Sequence, residues 1–138
     1  MQKILVSGDR NYSDFKTIES TVLKILNIYT PEKYVLVHGG CKGADKLTEN
    51  VFKKFKYCTI EMPAEWDKYG KAAGPIRNKE MVKLHPDLFL IFHDDLKNSR
   101  GTKHCVNVML KEINESYNPI CILNSKIISV QNLKHIIN

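Results

Sequence analysis

The segment His38-Gly39-Gly40-Cys41-Lys42-Gly43-Ala44-Asp45 places three glycines within five residues, directly ahead of a helical pattern. A plain turn needs one or two, because each glycine costs conformational entropy. A run of backbone N–H groups here can form an anion-binding nest, and the helix that follows adds partial positive charge at its N-terminus. Asp45 falls in the first helical turn and has two readings. It either interacts favourably with the helix dipole, or accepts a hydrogen bond from a ribose hydroxyl or an exocyclic amine. The pattern matches neither a Walker A loop nor G-x-G-x-x-G.

Three further segments carry comparable chemistry. Ser7-Gly8-Asp9-Arg10-Asn11-Tyr12 combines a glycine that permits a sharp turn with an arginine fork suited to phosphate or carboxylate. The stretch 63–78 holds the chain's one tryptophan, Trp66, read either as a cover over an apolar patch or as a base-stacking platform. It ends in Gly74-Pro75-Ile76-Arg77-Asn78, where Arg77 and Asn78 are expected in the first turn of a helix. A cation at that end opposes the dipole, and such local violations tend to mark sites. Finally, Ser99-Arg100-Gly101-Thr102 sets two hydroxyls around a glycine at another helix start, an anion-ready end or a simple N-cap by Ser99.

These segments are loops because of what flanks them. Apolar runs near 3–7, 34–38, 57–62, 87–93 and 118–123 read as strands, and helical spacing fills the stretches between. Ser13 is the expected N-cap of the first helix, 64–75 an irregular turn, and Ile76 to Leu84 a short helix. The tail from Lys126 to Asn138 is read as a short strand and a helical turn. Strands that are continuously apolar, alternating with helices, describe a parallel sheet covered on both faces. The expectation is one α/β domain over 1–138: a Rossmann-like, doubly wound, mainly parallel five-stranded sheet in the order 3-2-1-4-5. Ligands then bind outside the carboxyl ends of the strands, the edge where all four loops fall.

Composition agrees with a globular chain: 138 residues, 43% hydrophobic and 26% charged. Lys and Arg outnumber Asp and Glu by 21 to 15, a formal charge of +6 that favours an anionic partner. The four cysteines, at 41, 58, 105 and 121, form no C-x-x-C pair or zinc spacing. Cys58 and Cys121 are expected inside strands as small hydrophobes. His38, His93 and His104 lack metal-ligand spacing, so neither a metal nor another cofactor is expected. No signal peptide or bilayer-length apolar run is seen, and the reading is of a reducing, cytoplasmic compartment with no membrane partner.

Taken together, Ser7-Gly8-Asp9-Arg10, His38-Gly39-Gly40-x-x-Gly43-Ala44-Asp45, Pro63-Ala64-x-Trp66, Gly74-Pro75-x-Arg77-Asn78 and Ser99-Arg100-Gly101-Thr102 resemble the YspA/YpsA-related branch of the SLOG superfamily. They follow the family's order and cover residues 1 to about 115. The superfamily also includes the Lonely Guy phosphoribohydrolases and the DNA-processing protein DprA. The resemblance implies a Rossmann-like fold that binds a nucleotide or nucleotide-derived small molecule. It places the ligand contacts at Gly8, Arg10, Gly39, Gly40, Gly43, Asp45, Arg77, Asn78, Gly101 and Thr102, to which the loop reading adds Ser99. One position departs. The phosphoribohydrolases carry P-G-G-x-G-T-x-x-E, and here Gly101-Thr102 matches but the Glu position holds Cys105. A thiol cannot act as a carboxylate acid or charge stabiliser.

The leading expectation is therefore a binding or sensor domain for a phosphate-bearing nucleotide or nucleotide derivative, with no catalytic residue assigned. Self-association into a homo-oligomer is left open. An alternative is a nucleotide-processing enzyme, an N-glycosidase or transferase using Asp9, Asp45, Glu80 or Asp94. A further alternative is single-stranded nucleic-acid binding, which the charge favours. Against it, aromatics are 9% of the chain and do not interleave with basic residues.

Overall fold

The computed structural model describes residues 1–138. Six strands form one sheet: β1 (Gln2–Gly8), β2 (Tyr34–His38), β3 (Cys58–Glu61), β4 (Leu88–Phe92), β5 (Ile120–Leu123) and β6 (Lys126–Ile128). Their order is β3-β2-β1-β4-β5-β6. The first five are parallel in the expected order, and β6 pairs antiparallel with β5. The sixth strand is the departure from a five-stranded reading. It arises from a two-residue hairpin in which Asn124 and Ser125 both take positive φ, 47° and 75°. That is the mirror-image turn whose twist suits a hairpin. The Asn124 side chain also pairs with the backbone of His93 in both directions at 2.9 Å, fixing the hairpin to the end of β4.

Alternation along the strands sends side chains to two separate cores. Ile4, Val6, Leu36, Leu88, Leu90 and Phe92 pack with helices α1 (Phe15–Ile25) and α2 (Ala44–Lys54) through Ile18, Val22, Val51 and Phe52. Leu5, Val37, Phe89, Ile91 and Cys121 face the other way. They meet Met81 and Val82 of α4 (Ala73–Val82), Cys105 and Met109 of α5 (Gly101–Glu112), and Leu133 and Ile137 of α6 (Val130–Ile137). β3, by contrast, is an edge strand, and Cys58 there is exposed, not the buried hydrophobe expected.

Local chemistry shifts several expected boundaries. Asp14 caps α1 in place of Ser13, accepting from the Thr17 N–H at 3.1 Å and the Thr17 hydroxyl at 2.6 Å. The stretch read as an irregular turn contains α3 (Trp66–Tyr69) and a 3-10 turn over Gly70–Ala72. α4 starts at Ala73, three residues early, because Pro75 is tolerated inside a first turn where its missing N–H has no helical partner. Arg77 therefore lies in the second turn, and its expected conflict with the dipole does not arise.

The change of winding direction falls between β1 and β4, where Gly8 is the seam. A Cβ there would collide with the Phe92 carbonyl and the Ala44 methyl. The Asp9 N–H donates to that same carbonyl at 2.9 Å. Gly8→Ala is therefore expected to overpack this junction and lower stability by about 1–3 kcal/mol. A denaturant melt should show a lower midpoint with an unchanged m-value; a midpoint equal to wild type would show that the seam has slack.

Candidate functional site

The loop between β2 and α2 is closed by its own side chains. His38 is buried, and its Nδ1 accepts the Gly40 N–H at 3.0 Å. The ring proton therefore sits on Nε2, which donates to Glu49 Oε2 at 2.6 Å. Asp45 is 5% exposed, and its Oδ2 accepts the N–H groups of Gly39 and Cys41 at 3.1 and 3.2 Å. Three N–H groups expected to form a nest are thus satisfied internally; those of Lys42, Gly43 and Asp45 are left without a protein acceptor. The glycines serve the same closure. Gly40 has φ 81°, and a Cβ there would lie 2.8 Å from the Glu61 carboxylate. A Cβ on Gly39 would lie 2.6 Å from Arg77 Cζ. Gly43 presses on the backbone of Asp9 and Arg10, and the Ala44 N–H donates to the Asp9 carbonyl at 3.0 Å.

Arg77 and Asn78 join this loop to the next two. Arg77 Nη1 donates to the carbonyls of Gly39 and Met62 at 2.8 and 3.4 Å. Its Nε donates to Asn78 Oδ1 at 3.1 Å, which fixes the orientation of that amide. Asn78 Nδ2 then donates to the Gly101 carbonyl at 3.3 Å and to His104 Nδ1 at 3.2 Å. Nη2 of Arg77 remains unpaired.

The start of α5 stays open. Ser99 takes the capping role, accepting the Lys103 N–H at 2.9 Å while donating to the Leu96 carbonyl at 3.0 Å. The N–H groups of Gly101 and Thr102 have no acceptor, and the space beside Gly101 is empty to 4 Å. Thr102 is buried and its hydroxyl makes no hydrogen bond within the protein. Arg10 is exposed and makes neither a hydrogen bond nor an ion pair. Trp66 is 59% exposed, with its ring edge 3.3 Å from where a Gly74 Cβ would stand.

Asp45 is the electrostatic centre of this edge. Burial pushes its carboxyl up to about 6, against the opposing pull of the Cys41 N–H, His38, Arg77 and the Gly39 N–H. Its Oδ1 is buried and has no donor. Burial likewise pushes the Cys105 thiol up to about 12, so it stays protonated and inert at neutral pH.

Two residues of this edge escaped the sequence reading. Glu49 and Glu61 bring carboxylates within 4.8 Å of each other and of the His38 ring. Lys46 pairs with Glu61, and Lys53 lies 3.6 Å from Glu49, so ammonium groups supply the balancing charge. The available signal was spacing, since Glu49 follows Asp45 by four residues and shares its helix face.

Comparison with known proteins gives three matches. The pattern of the family described as YspA, cpYpsA-related SLOG family fits residues 2–69. The Gene 61 protein of Mycobacterium phage D29 is 34% identical over 111 residues, covering 77% of this chain and 86% of that protein. The X-ray structure of DNA processing protein A from Streptococcus pneumoniae superposes with a TM-score of 0.65 at 18% identity, over 88% of this chain. This chain spans 50% of that longer protein. No helix is long and apolar enough to cross a membrane.

The buried carboxyl sets a pH signature. Its folded value of about 6 lies above the ordinary 3.8, so the folded state holds a proton that the unfolded state has released. Stability should then fall as pH rises from about 4 to about 6, with a cost of about 3 kcal/mol fully present above that window. Asp45→Asn keeps an oxygen for the Gly39 and Cys41 N–H groups and removes the titration. Urea melts across pH 4–7 should show wild type losing stability relative to the variant as pH rises, since the lowered carboxyls of Glu49 and Asp14 contribute equally to both. A difference between the two proteins that does not change with pH would assign the signature to another group.

Proposed function

The chain belongs to the YspA, cpYpsA-related SLOG family, and on that premise we propose that it binds a phosphate-bearing nucleotide or nucleotide-derived small molecule at the carboxyl edge of its sheet. One observation carries the reading. A buried acceptor without a donor, Asp45 Oδ1, lies within electrostatic range of a guanidinium whose Nη2 is free. That guanidinium is tied through Asn78 to the open N-terminus of α5. The complementary ligand carries a hydrogen-bond donor and an anion in one molecule. A nucleotide does, with its ribose hydroxyls and its phosphate.

In this proposal the phosphate goes to the Gly101 and Thr102 N–H groups, with Arg10 and Arg77 Nη2 adding charge-assisted bonds. A ribose hydroxyl or exocyclic amine goes to Asp45 Oδ1 after a local shift uncovers that buried oxygen. Gly8, Gly39, Gly40 and Gly43 act by packing the loops against one another, Asn78 by holding α4 to α5, and Ser99 by capping. The inert Cys105 thiol, standing where the phosphoribohydrolases have Glu, favours binding or sensing over their reaction.

A thermal-shift screen of nucleoside phosphates, cyclic nucleotides, NAD and ADP-ribose tests the proposal. A ligand at a hundred times its dissociation constant should add about 2.7 kcal/mol. Arg10→Ala should then weaken binding by about 1.5–3 kcal/mol and leave the free protein's melt unchanged, because Arg10 holds nothing in the fold. Arg77→Ala should lose both binding and stability, since it also ties down Gly39 and Met62. Absence of any shift across the screen, or full affinity in the Arg10 variant, overturns the assignment.

A further inference from the structure

A second basic feature lies outside the cleft. Between α4 and α5 runs a groove of about 290 Å³, lined by Lys79, Lys83, His104, Val108, Lys111 and Glu112, with Asn107 completing the wall. Lys79, Lys83 and Lys111 form no ion pair, whereas the lysines of α2 do. The lone carboxylate, Glu112, is engaged by His85 at 3.2 Å. His104 adds a defined donor. Its Nδ1 accepts from Asn78 Nδ2, so the neutral ring carries its proton on Nε2. Burial, with Lys79 and Lys111 behind it, lowers the His104 pKa and keeps that ring neutral. Val108 is its one hydrophobic residue, and the lysine stems form much of the wall with their ammonium groups at its rim.

The groove also connects with the cleft. Asn78 touches the Gly101 carbonyl on the cleft side and His104 on the groove side. Positions 79 and 83 lie one turn apart on α4, and 104 and 111 two turns apart on α5, a span of about 10 Å.

We propose that this groove takes the phosphodiester backbone of a short single strand whose terminal nucleotide occupies the cleft. The inference rests on the cleft's nucleotide reading and extends it from a mononucleotide to an oligonucleotide end. Recognition is by charge and by the His104 N–H, without base contacts, so it is independent of sequence.

The test measures fluorescence anisotropy with a labelled, 5′-phosphorylated thymidine dodecamer, using thymidine 5′-monophosphate as competitor, from 50 to 200 mM salt. Wild type should bind the strand at least tenfold more tightly than the monophosphate at the lowest salt. The variant K79Q/K83Q/K111Q alters three exposed side chains, and its melt checks that the fold is kept. It should lose the tenfold gain, hold its monophosphate affinity within twofold, and show a salt slope lower by about 2. A strand that gains nothing over the monophosphate, or a gain that survives in the variant, overturns the groove and leaves the cleft reading standing. Lysine-dependent strand binding without any monophosphate binding keeps the groove and overturns the cleft. Poly-glutamate binding as tightly as a strand of equal charge overturns the assignment to phosphate.

Discussion

One carboxylate oxygen organises the carboxyl edge of this sheet. Asp45 Oδ2 gathers the N–H groups of Gly39 and Cys41, bending the chain after β2 back onto the helix it is about to enter. The bend brings the Gly39 carbonyl to Arg77 and lets Gly43 seat against the loop after β1. Burying a carboxylate is costly, and the two N–H bonds offset that cost only in part, as its upward shift to about 6 records. The other oxygen is left without a donor. An unpaired buried acceptor is an energetic liability of about 1–3 kcal/mol in a free protein.

The neighbouring glycines show how one residue type serves two different ends. Glycine density signals close approach, but a sequence does not say whether the approaching atom belongs to a ligand or to the protein. At 39, 40 and 43 it belongs to the protein: the Arg77 guanidinium, the Glu61 carboxylate and the backbone of Asp9 and Arg10. At 101 nothing approaches, and the helix N–H groups remain free. Two loops that look alike in sequence thus differ: the first spends its glycines on contacts within the protein and satisfies three of its N–H groups, and the second leaves the space beside its glycine open.

Much of the architecture was legible because burial on both faces leaves strands as continuous apolar runs. Leu88–Phe92 could be little else, and the alternation with helices dictated a parallel sheet and its order. Local competition decided the misses. Gly74-Pro75 reads as a helix boundary, yet both residues fit within the first turns of α4, which moves Arg77 inward. Asn124-Ser125 lacks glycine, so the hairpin that adds β6 was only weakly signalled. Cys58 lies in an apolar run, but an edge strand exposes side chains that a central strand would bury. The sequence singled out Arg77 and the carboxyl edge, while the contacts of Arg77 with Gly39 and Met62 and the closure by Asp45, His38 and Glu49 needed coordinates.

Ion pairing separates the lysines of α2 from those between α4 and α5. On the α2 side, Lys46, Lys53 and Lys54 meet Glu61, Glu49 and Glu19, and their charges cancel locally. On the opposite layer, Lys79, Lys83 and Lys111 share one groove with a single carboxylate that His85 already engages. Arg10 at the cleft is likewise unpaired. Since paired charges contribute little field beyond a Debye length of about 8 Å, the potential an approaching anion meets comes from the unpaired set. Within that set, Lys79, Lys83 and Lys111 are gathered in the groove between α4 and α5, and Arg10 stands exposed at the carboxyl edge of the sheet.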